Sequence, residues 1–355
     1  MDNAALQQLC EAVPVPMLVV DGDARVVVAN TAATAMLGEA LTDRPFVTVL
    51  RQALVNRAVE QALAAAGNGP PARLSVTLSA KGHDRNCVVT VTPLTLARRP
   101  GAAVVIEDSS GVEHAEQMRR DFVANVSHEL KTPLTALMGF IETLQGPARS
   151  DPAARDRFLG IMEREAGRMN RLIGDLLSLS RVEQEERRRP LDRVDLAALI
   201  RSVCATLAPA AAAAGVSLVR IGTAEAAEIG GDADQIQQVL HNLIENAIKY
   251  GSKAGQGGEV RVTLAHVPHE PLLRGPGWSV EVADDGEGID EIHLPRLTER
   301  FYRVDNHRSR EKGGTGLGLA IVKHIVARHR GRLKIESVKG RGSRFTVILP
   351  EQQPR

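Results

Sequence analysis

"SHELKTPL", residues 127–134, sets a histidine and a glutamate side by side and follows them within a turn by a threonine and a proline. Around it, Met118, Phe122, Val126, Leu130, Leu134, Leu137, Ile141 and Leu144 recur at intervals of three and four, which predicts one amphipathic helix running straight through. "GPARSDP" (146–152) then breaks the pattern with a glycine and two prolines. A second stripe follows through Phe158, Met162, Met169, Leu172, Leu176 and Leu179. Two amphipathic helices joined by a short breaker make an antiparallel hairpin. A hairpin has too little core of its own, so pairing with a second copy into a four-helix bundle is its natural completion.

His128 lies two residues from both Val126 and Leu130, about 200° round the helix from each, so it points off the stripe toward water. Thr132 stands one turn further along the same face. A solvated surface histidine would look the same. Pro133 argues for more, because a proline inside a helix removes a backbone hydrogen bond and costs about 3 kcal/mol. The lost donor would have served the Glu129 carbonyl, loosening the turn that carries the pair, and strain of this kind collects at functional sites. An exposed imidazole is a nucleophile when a neighbouring carboxylate orients it or accepts its proton, and a hydroxyl one turn away can position a water. These parts suit phosphoryl transfer to and from a histidine.

The rest of the chain is organised on either side. With 355 residues it has room for two or three domains, and 43% hydrophobic with 25% charged residues is a folding composition. A net charge of +1 gives no general attraction to nucleic acid or anionic membrane, and 3% aromatics argues against base-stacking platforms. Cys10, Cys87 and Cys204 are scattered without metal-ligand spacing and read as buried thiols of a reducing compartment. The apolar run Val13 to Val20 is interrupted by Pro14 and Pro16 and falls short of the about 20 residues of a spanning helix, so no membrane segment or signal peptide is expected. The expected setting is cytoplasmic and bacterial, with membrane association only through an upstream anchor in a longer natural form.

Residues 1–110 read as a small α+β domain. "PMLVVDGDARVVVAN" predicts a β-hairpin turning at Asp21-Gly22-Asp23, "TAATAMLG" a short helix closed by Gly38, and "RLSVTLSA", "RNCVVTVTPLTL" and "GAAVVIED" three further strands. His83 sits in a polar, loop-like stretch and reads as a surface residue rather than a haem ligand. Beyond the hairpin, "DADQIQQVLHNLIENAIKYG" predicts a helix capped near Asp232, with Leu240, Leu243, Ile244 and Ile248 inward and Asn242, Asn246 and Lys249 sharing another face. That face could hold a metal-bridged triphosphate; it also fits an ordinary polar surface. "WSVEVADDGEGID" predicts a strand ending in Asp284 beside Gly286 and Gly288, where the carboxylate can accept a hydrogen bond from an exocyclic amine such as that of adenine. Gly313, Gly314, Gly316 and Gly318 lead directly into the predicted helix "LAIVKHIVARH", an anion site by virtue of free backbone N–H groups and the helix dipole. The Arg-rich segment before them is expected to be a mobile lid, and "KIESVKGRGSRFTVILP" supplies two closing strands.

Residues 112–350 resemble bacterial two-component sensor histidine kinases, through "FVANVSHELKTPLTAL", "HNLIENAIKY", "DDGEGI", "ERFYRVD", "GGTGLGLAIVK" and "GRGSRF" in order. Phosphate-regulon sensor kinases are similar in appearance, and "LVVDGDARVVVAN" resembles a PAS domain. The resemblance implies a multidomain α+β chain with three parts. These are a PAS-like α/β sensor (1–110), an antiparallel helical hairpin that forms a dimeric four-helix bundle (111–188), and an α/β-sandwich ATP-binding domain of the gyrase/Hsp90/histidine kinase type (189–355). It implies His128 as phosphoacceptor, Glu129 as its acid/base partner and Thr132 as the hydroxyl used in removing phosphate from a partner. Asn246 would coordinate Mg2+, with Asn242 and Lys249 near the phosphates of ATP and Tyr250 against the adenine. Asp284 would bind the adenine amine within the loop of Gly286, Gly288 and Ile289. Arg303 would reach the γ-phosphate, and Gly314, Thr315, Gly316, Leu317 and Gly318 would cradle the phosphate chain. The partners implied are a second copy of the chain and a response regulator, and the phosphate-regulon likeness points to phosphate-starvation signalling. Gyrase, MutL and Hsp90 ATPases are the rival within this fold. They carry a water-activating glutamate four residues before the metal-binding asparagine, where this chain has Asn242, while Glu245 lies about 100° round the helix from Asn246.

Overall fold

The computed structural model describes residues 3–351 apart from 39, 81–82, 97, 186–187, 223–226, 252–256, 272, 274 and 306–313. The chain divides into two compact units, residues 1–124 and 125–355.

The first unit begins with α1 (Asn3–Glu11), the hairpin strands β1 (Met17–Asp21) and β2 (Val26–Ala29), and three helices, α2 (Thr31–Leu37), α3 (Phe46–Val49) and α4 (Ala53–Ala64). Strands β3 (Ala72–Ala80), β4 (His83–Leu96) and β5 (Arg99–Asp108) complete an antiparallel sheet of order β2-β1-β5-β4-β3. Side chains of a strand alternate between faces. Leu18 and Val20 accordingly enter the main core with Phe46, Val55 and Val59, while Val19 enters a smaller cluster with Cys10 and Val28. Asn30, 1% exposed, caps α2 by accepting from the Ala33 amide and donates to the carbonyls of Cys10, Val13 and Val15. His83 opens β4 and does not lie in a loop, because Asp84 and its neighbours pair with β3 in register.

The quoted stretch lies in α5 (Ser110–Gln145), which runs unbroken through Pro133. α6 (Pro152–Glu185) follows the breaker, and Phe140 stacks on Phe158 with ring centroids 5.3 Å apart. Within the second unit the two helices leave Leu134, Met138 and Ile141 of α5 and Leu159, Ile173 and Leu177 of α6 between 42% and 57% exposed. These fall at helical spacing on each helix, so one apolar stripe of the hairpin is left exposed among the described residues.

The remaining elements are β6 (Asp192–Asp195), α7 (Leu196–Ala213), β7 (Val216–Ile221), β8 (Glu228–Gly231), α8 (Ala233–Tyr250), β9 (Gly258–Glu270), β10 (Gly275–Asp284), α9 (Gly318–Arg328), β11 (Arg332–Val338) and β12 (Gly342–Pro350). A sheet of order β11-β12-β10-β9-β7, with only β7 and β9 parallel, is backed by α7, α8 and α9, and β6 pairs with β8. This is a two-layer sandwich. Among the described residues α7 is the one helix long and apolar enough to cross a membrane. Its Ile200, Val203, Cys204, Leu207 and Ala211 are buried at the three-and-four spacing of a helix that packs on a core, and α8 is its neighbour.

Candidate functional site

His128 is exposed on α5, where the spacing placed it. Thr132, also exposed, donates its hydroxyl to the His128 carbonyl at 3.1 Å, giving the turn before the buried Pro133 a side-chain hydrogen bond. Glu129 turns inward instead, 13% exposed, and its Oε2 accepts from Arg168 of α6 at 2.9 Å and from Arg303 at 3.1 Å. Arg303 is only 5% exposed. The residue beside the histidine is thereby joined to the loop ahead of α9.

That junction is part of a longer seam between the hairpin and the sandwich. Leu172, Leu179 and Val182 of α6 are buried. Around them Ser178 donates to Gln238 at 2.8 Å, Arg300 pairs with Glu183, and Arg328 donates to the carbonyls of Glu185 and Arg188. The Thr315 hydroxyl donates to Asp175 Oδ2 at 2.6 Å. Burial pushes the Asp175 carboxyl above the ordinary carboxylate range, and the Thr315 hydrogen bond opposes that.

Along α8, the Asp232 carboxylate caps the helix by accepting from the Gln235 amide, and the apolar face predicted inward is buried. Asn242, Asn246 and Lys249 share a half-buried face. Asn242 donates to the Gly318 carbonyl at 3.3 Å, fixing the start of α9 against α8. Lys249 pairs with Glu245 at 3.0 Å, so its ammonium is shared with a carboxylate on its own helix. Asn246 offers a hard amide oxygen; Mg2+ takes one or two such protein ligands and completes its shell with phosphates and water. The donor set therefore suits a nucleotide-bound Mg2+. No cluster of three His, Cys, Asp or Glu stands among the described residues.

The carboxyl end of β10 forms a second focus. Asp284 is 7% exposed, its Oδ1 accepts from the Gly286 amide at 2.9 Å, and burial holds its pKa above the ordinary range. A methyl group on Gly286 would lie 2.2 Å from the Tyr250 carbonyl oxygen, and Gly288 has φ +65° with no room beside Val338, so both positions require glycine. The Ile289 amide is held by the Ser337 hydroxyl at 2.8 Å. Tyr250 itself is 37% exposed at the end of α8.

In the glycine loop, Gly316 at φ +75° accepts from the Phe301 amide at 2.9 Å and packs its backbone on Phe301 and Arg303. The Leu317 side chain is fully buried, and its backbone N–H donates to Thr315 Oγ1 at 3.3 Å. Gly314 is half-buried just ahead of them. Gly313 and the expected lid lie outside the described residues.

The structure thus gathers Asn242, Gly318, Thr315, Gly316 and Arg303 around the start of α9, and Asp284, Gly286, Gly288, Ile289 and Tyr250 at the end of β10. Arg168, Asp175, Arg328 and His329 were not singled out by sequence. Each acts on a group far away in the chain, and a charged or polar residue on a helix gives no local signal of that.

Comparison with known proteins follows the same division. Residues 4–109 match the PAS fold, 118–185 the His Kinase A (phospho-acceptor) domain, and 231–353 the histidine kinase-, DNA gyrase B- and HSP90-like ATPases. The chain is similar to the phosphate regulon sensor protein PhoR of Pseudomonas aeruginosa, 41% identical over 70% of this chain and 54% of that protein. It is also similar to the sensor protein kinase WalK of Staphylococcus saprophyticus, 38% identical over 70% and 39% respectively. The chain thus spans about half the length of the first of these relatives and less of the second. With the sensor-like histidine kinase SenX3 of Mycolicibacterium smegmatis the match is 35% over 98% of this chain and 85% of that protein. Among solved structures, the Acinetobacter baumannii histidine kinase AdeS is 25% identical, covering 63% of this chain and 98% of its own, with a TM-score of 0.47.

Proposed function

This chain belongs to the sensor histidine kinases, and on that footing we propose that it moves the γ-phosphoryl group of ATP to His128 and then to an aspartate of a response regulator. The observation that carries the reading is the Glu129–Arg303 contact. It brings the arginine matched to the γ-phosphate against the residue next to the phosphoacceptor, within one compact unit. In the transfer, the His128 ring nitrogen attacks phosphorus, the bond to the ADP oxygen breaks, and Glu129 takes the proton from the other ring nitrogen. Asn246 would hold a Mg2+, which would shield the phosphate charge, with Asn242 and Lys249 beside the phosphates. Asp284 and Tyr250 take the adenine, and residues 314–318 take the phosphate chain through backbone N–H groups. Asn242, where the related ATPases carry a glutamate, is an amide engaged with the Gly318 carbonyl and cannot activate water.

The working divisions are a sensor at 1–110, a hairpin at 111–188 and an ATP-binding domain at 189–355. A second copy covers the open hairpin stripe, making a homodimeric four-helix bundle. Thr132 serves the reverse reaction on the regulator, and the likeness to PhoR favours phosphate-responsive signalling in a bacterial cytoplasm.

The test is incubation of the full chain with Mg-ATP. The expected label is stable to alkali and labile to acid, as a phosphoramidate is, and absent from His128→Ala. Full labelling of that variant would place the acceptor elsewhere.

A further inference from the structure

Three groups that the proposed function gives to the phosphates are engaged in the seam, and the acceptors at its far side are carboxylates of the hairpin. Arg303 Nη2 lies 3.1 Å from Glu129 Oε2 of α5, with the arginine side chain only 5% exposed. The Thr315 hydroxyl donates to Asp175 Oδ2 of α6 at 2.6 Å. Thr315 Oγ1 in turn accepts from the Leu317 N–H at 3.3 Å. Hydrogen bonds therefore run from a backbone donor at the start of α9, through one hydroxyl, to a carboxylate on another element.

These contacts compete with a bound triphosphate. The Thr315 hydroxyl has one proton, and while Asp175 holds it a phosphate oxygen cannot. Arg303 is covered, so a phosphate reaches it only after the side facing Glu129 has opened. An anion in the cradle would also stand against two carboxylates, and like charges a few ångströms apart repel. Asp175 lies on the phosphate side of the site. Burial raises its pKa, the Thr315 hydrogen bond opposes this, and the Glu245 and Lys249 charges on α8 are both close enough to contribute. A carboxylate held partly out of water is a costly partner, which keeps the seam shallow enough to be undone. Phosphate oxygens carry more charge and accept the fork of a guanidinium two-pronged, so they are the stronger acceptors once they arrive.

We propose that the hairpin is an intramolecular competitor of ATP: Glu129 and Asp175 occupy the groups that take the phosphates, so nucleotide binding and docking of the hairpin on the sandwich oppose each other. The inference rests on the nucleotide site proposed above. Opposition of this kind is reciprocal, and docking lowers ATP affinity by the factor that ATP lowers docking. The affinity measured is the intrinsic one reduced by the fraction of chains whose seam is open. A movement of α6 that parts Asp175 from Thr315 then admits nucleotide while leaving every adenine contact untouched.

The experiment is calorimetric titration of the full chain with Mg2+ and the β,γ-imido analogue of ATP, whose terminal phosphoryl group is not transferred. Wild type is compared with Asp175→Ala, Asp175→Asn and Glu129→Gln. Asp175→Ala and Glu129→Gln are each expected to bind the analogue about two- to tenfold more tightly than wild type, the factor of one net hydrogen bond. Asp175→Asn keeps an acceptor for the Thr315 hydroxyl without the charge and is expected to fall between wild type and Asp175→Ala. Hydrogen exchange gives a second reading: amides of residues 172–182 on α6 are expected to exchange faster in wild type with the analogue bound than without it. Unchanged affinity in both Asp175→Ala and Glu129→Gln overturns the proposal, even where their thermal stability falls, and leaves a purely structural seam. Weaker binding overturns it as well, since the carboxylates would then be assisting the nucleotide. Slower or unchanged exchange of α6 on binding does the same. Should Asp175→Ala fail to fold, Asp175→Asn and Glu129→Gln are read by these criteria. Absence of binding in wild type and every variant would instead refute the nucleotide site itself, and this inference with it.

Discussion

Acidification should loosen the ATP-binding region through one residue, His329. Its side chain is fully buried just past the end of α9, with Nε2 taking the Asp232 backbone N–H at 3.0 Å and Nδ1 facing the Ile325 carbonyl at 2.8 Å. Those partners fix the tautomer: Nδ1 carries the proton and Nε2 offers its lone pair to the amide that begins α8. A second proton would set N–H against N–H at the cap of α8. Burial, helped by the neighbouring Arg328 guanidinium and opposed by the Asp232 carboxylate, holds the His329 pKa below its ordinary value. The unfolded chain therefore takes this proton more readily than the folded one. The stabilisation is complete above the ordinary imidazole value of about 6.5 and is lost as pH falls beneath it, by at most about 1.4 kcal/mol per pH unit. Replacing His329 by leucine removes both side-chain hydrogen bonds, but the Ile325 carbonyl keeps the backbone N–H of residue 329 at 3.0 Å; with the Asp232 N–H left unpaired, the loss at neutral pH is about 1–3 kcal/mol. Trp278 is the only tryptophan of the chain and sits in β10 of the same sandwich, so its fluorescence in urea reports this region. Wild type should lose stability between about pH 7 and pH 5.5 more steeply than His329→Leu, whose baseline is lower. Parallel slopes for the two proteins would refute the reasoning.

Three further outcomes follow from the site. Thr132→Ala should keep most autophosphorylation and lose most dephosphorylation of the regulator, because only the reverse reaction needs a water aligned by that hydroxyl. Collapse of autophosphorylation with phosphatase activity intact would reassign Thr132 to supporting the turn at the His128 carbonyl. Asp284→Asn should weaken adenine nucleotides with or without metal, whereas Asn246→Asp should act on metal-dependent turnover; equal effects on metal-free ADP binding would contradict these roles. Because the Asp284 pKa is raised by burial, ADP affinity should also fall on acidification as the carboxylate protonates, and calorimetric titration across pH checks the sign.

Much of this architecture was readable from residue spacing. The hairpin announced itself because leucines and methionines at intervals of three and four leave no strand alternative, and "GPARSDP" supplied its turn. α8 was equally plain, with an Asp cap and four inward aliphatics. α4 and α7 were not read, because alanine fills much of both and marks no face by itself; burial of Val55 and Val59, or of Ile200 and Val203, shows which side turned inward only once the sheet is present. Pro133 was expected to loosen its turn, yet α5 continues through it, with the Thr132 hydroxyl bonded to the carbonyl four residues back. The glycines at 286, 288 and 316 were legible as tight backbone. Their closeness to the Tyr250, Val338 and Phe301 backbones is a tertiary fact. So is the seam: Thr315 meets Asp175 and Arg303 meets Glu129 across sequence separations of 140 and 174, over which no local pattern reports.

If a second copy covers the stripe of the hairpin, as proposed, abundance becomes a folding variable. Leu134, Met138 and Ile141 on one helix and Leu159, Ile173 and Leu177 on the other hold exposed apolar surface, which the proposed second copy would remove from water. Whatever stability that burial supplies obeys mass action, so each tenfold dilution withdraws up to about 1.4 kcal/mol from the bundle. A cell holding few copies would keep more of them as loosened, protease-sensitive single chains. Expression level would then set not only how many kinases exist but what fraction of them is competent to hear the signal.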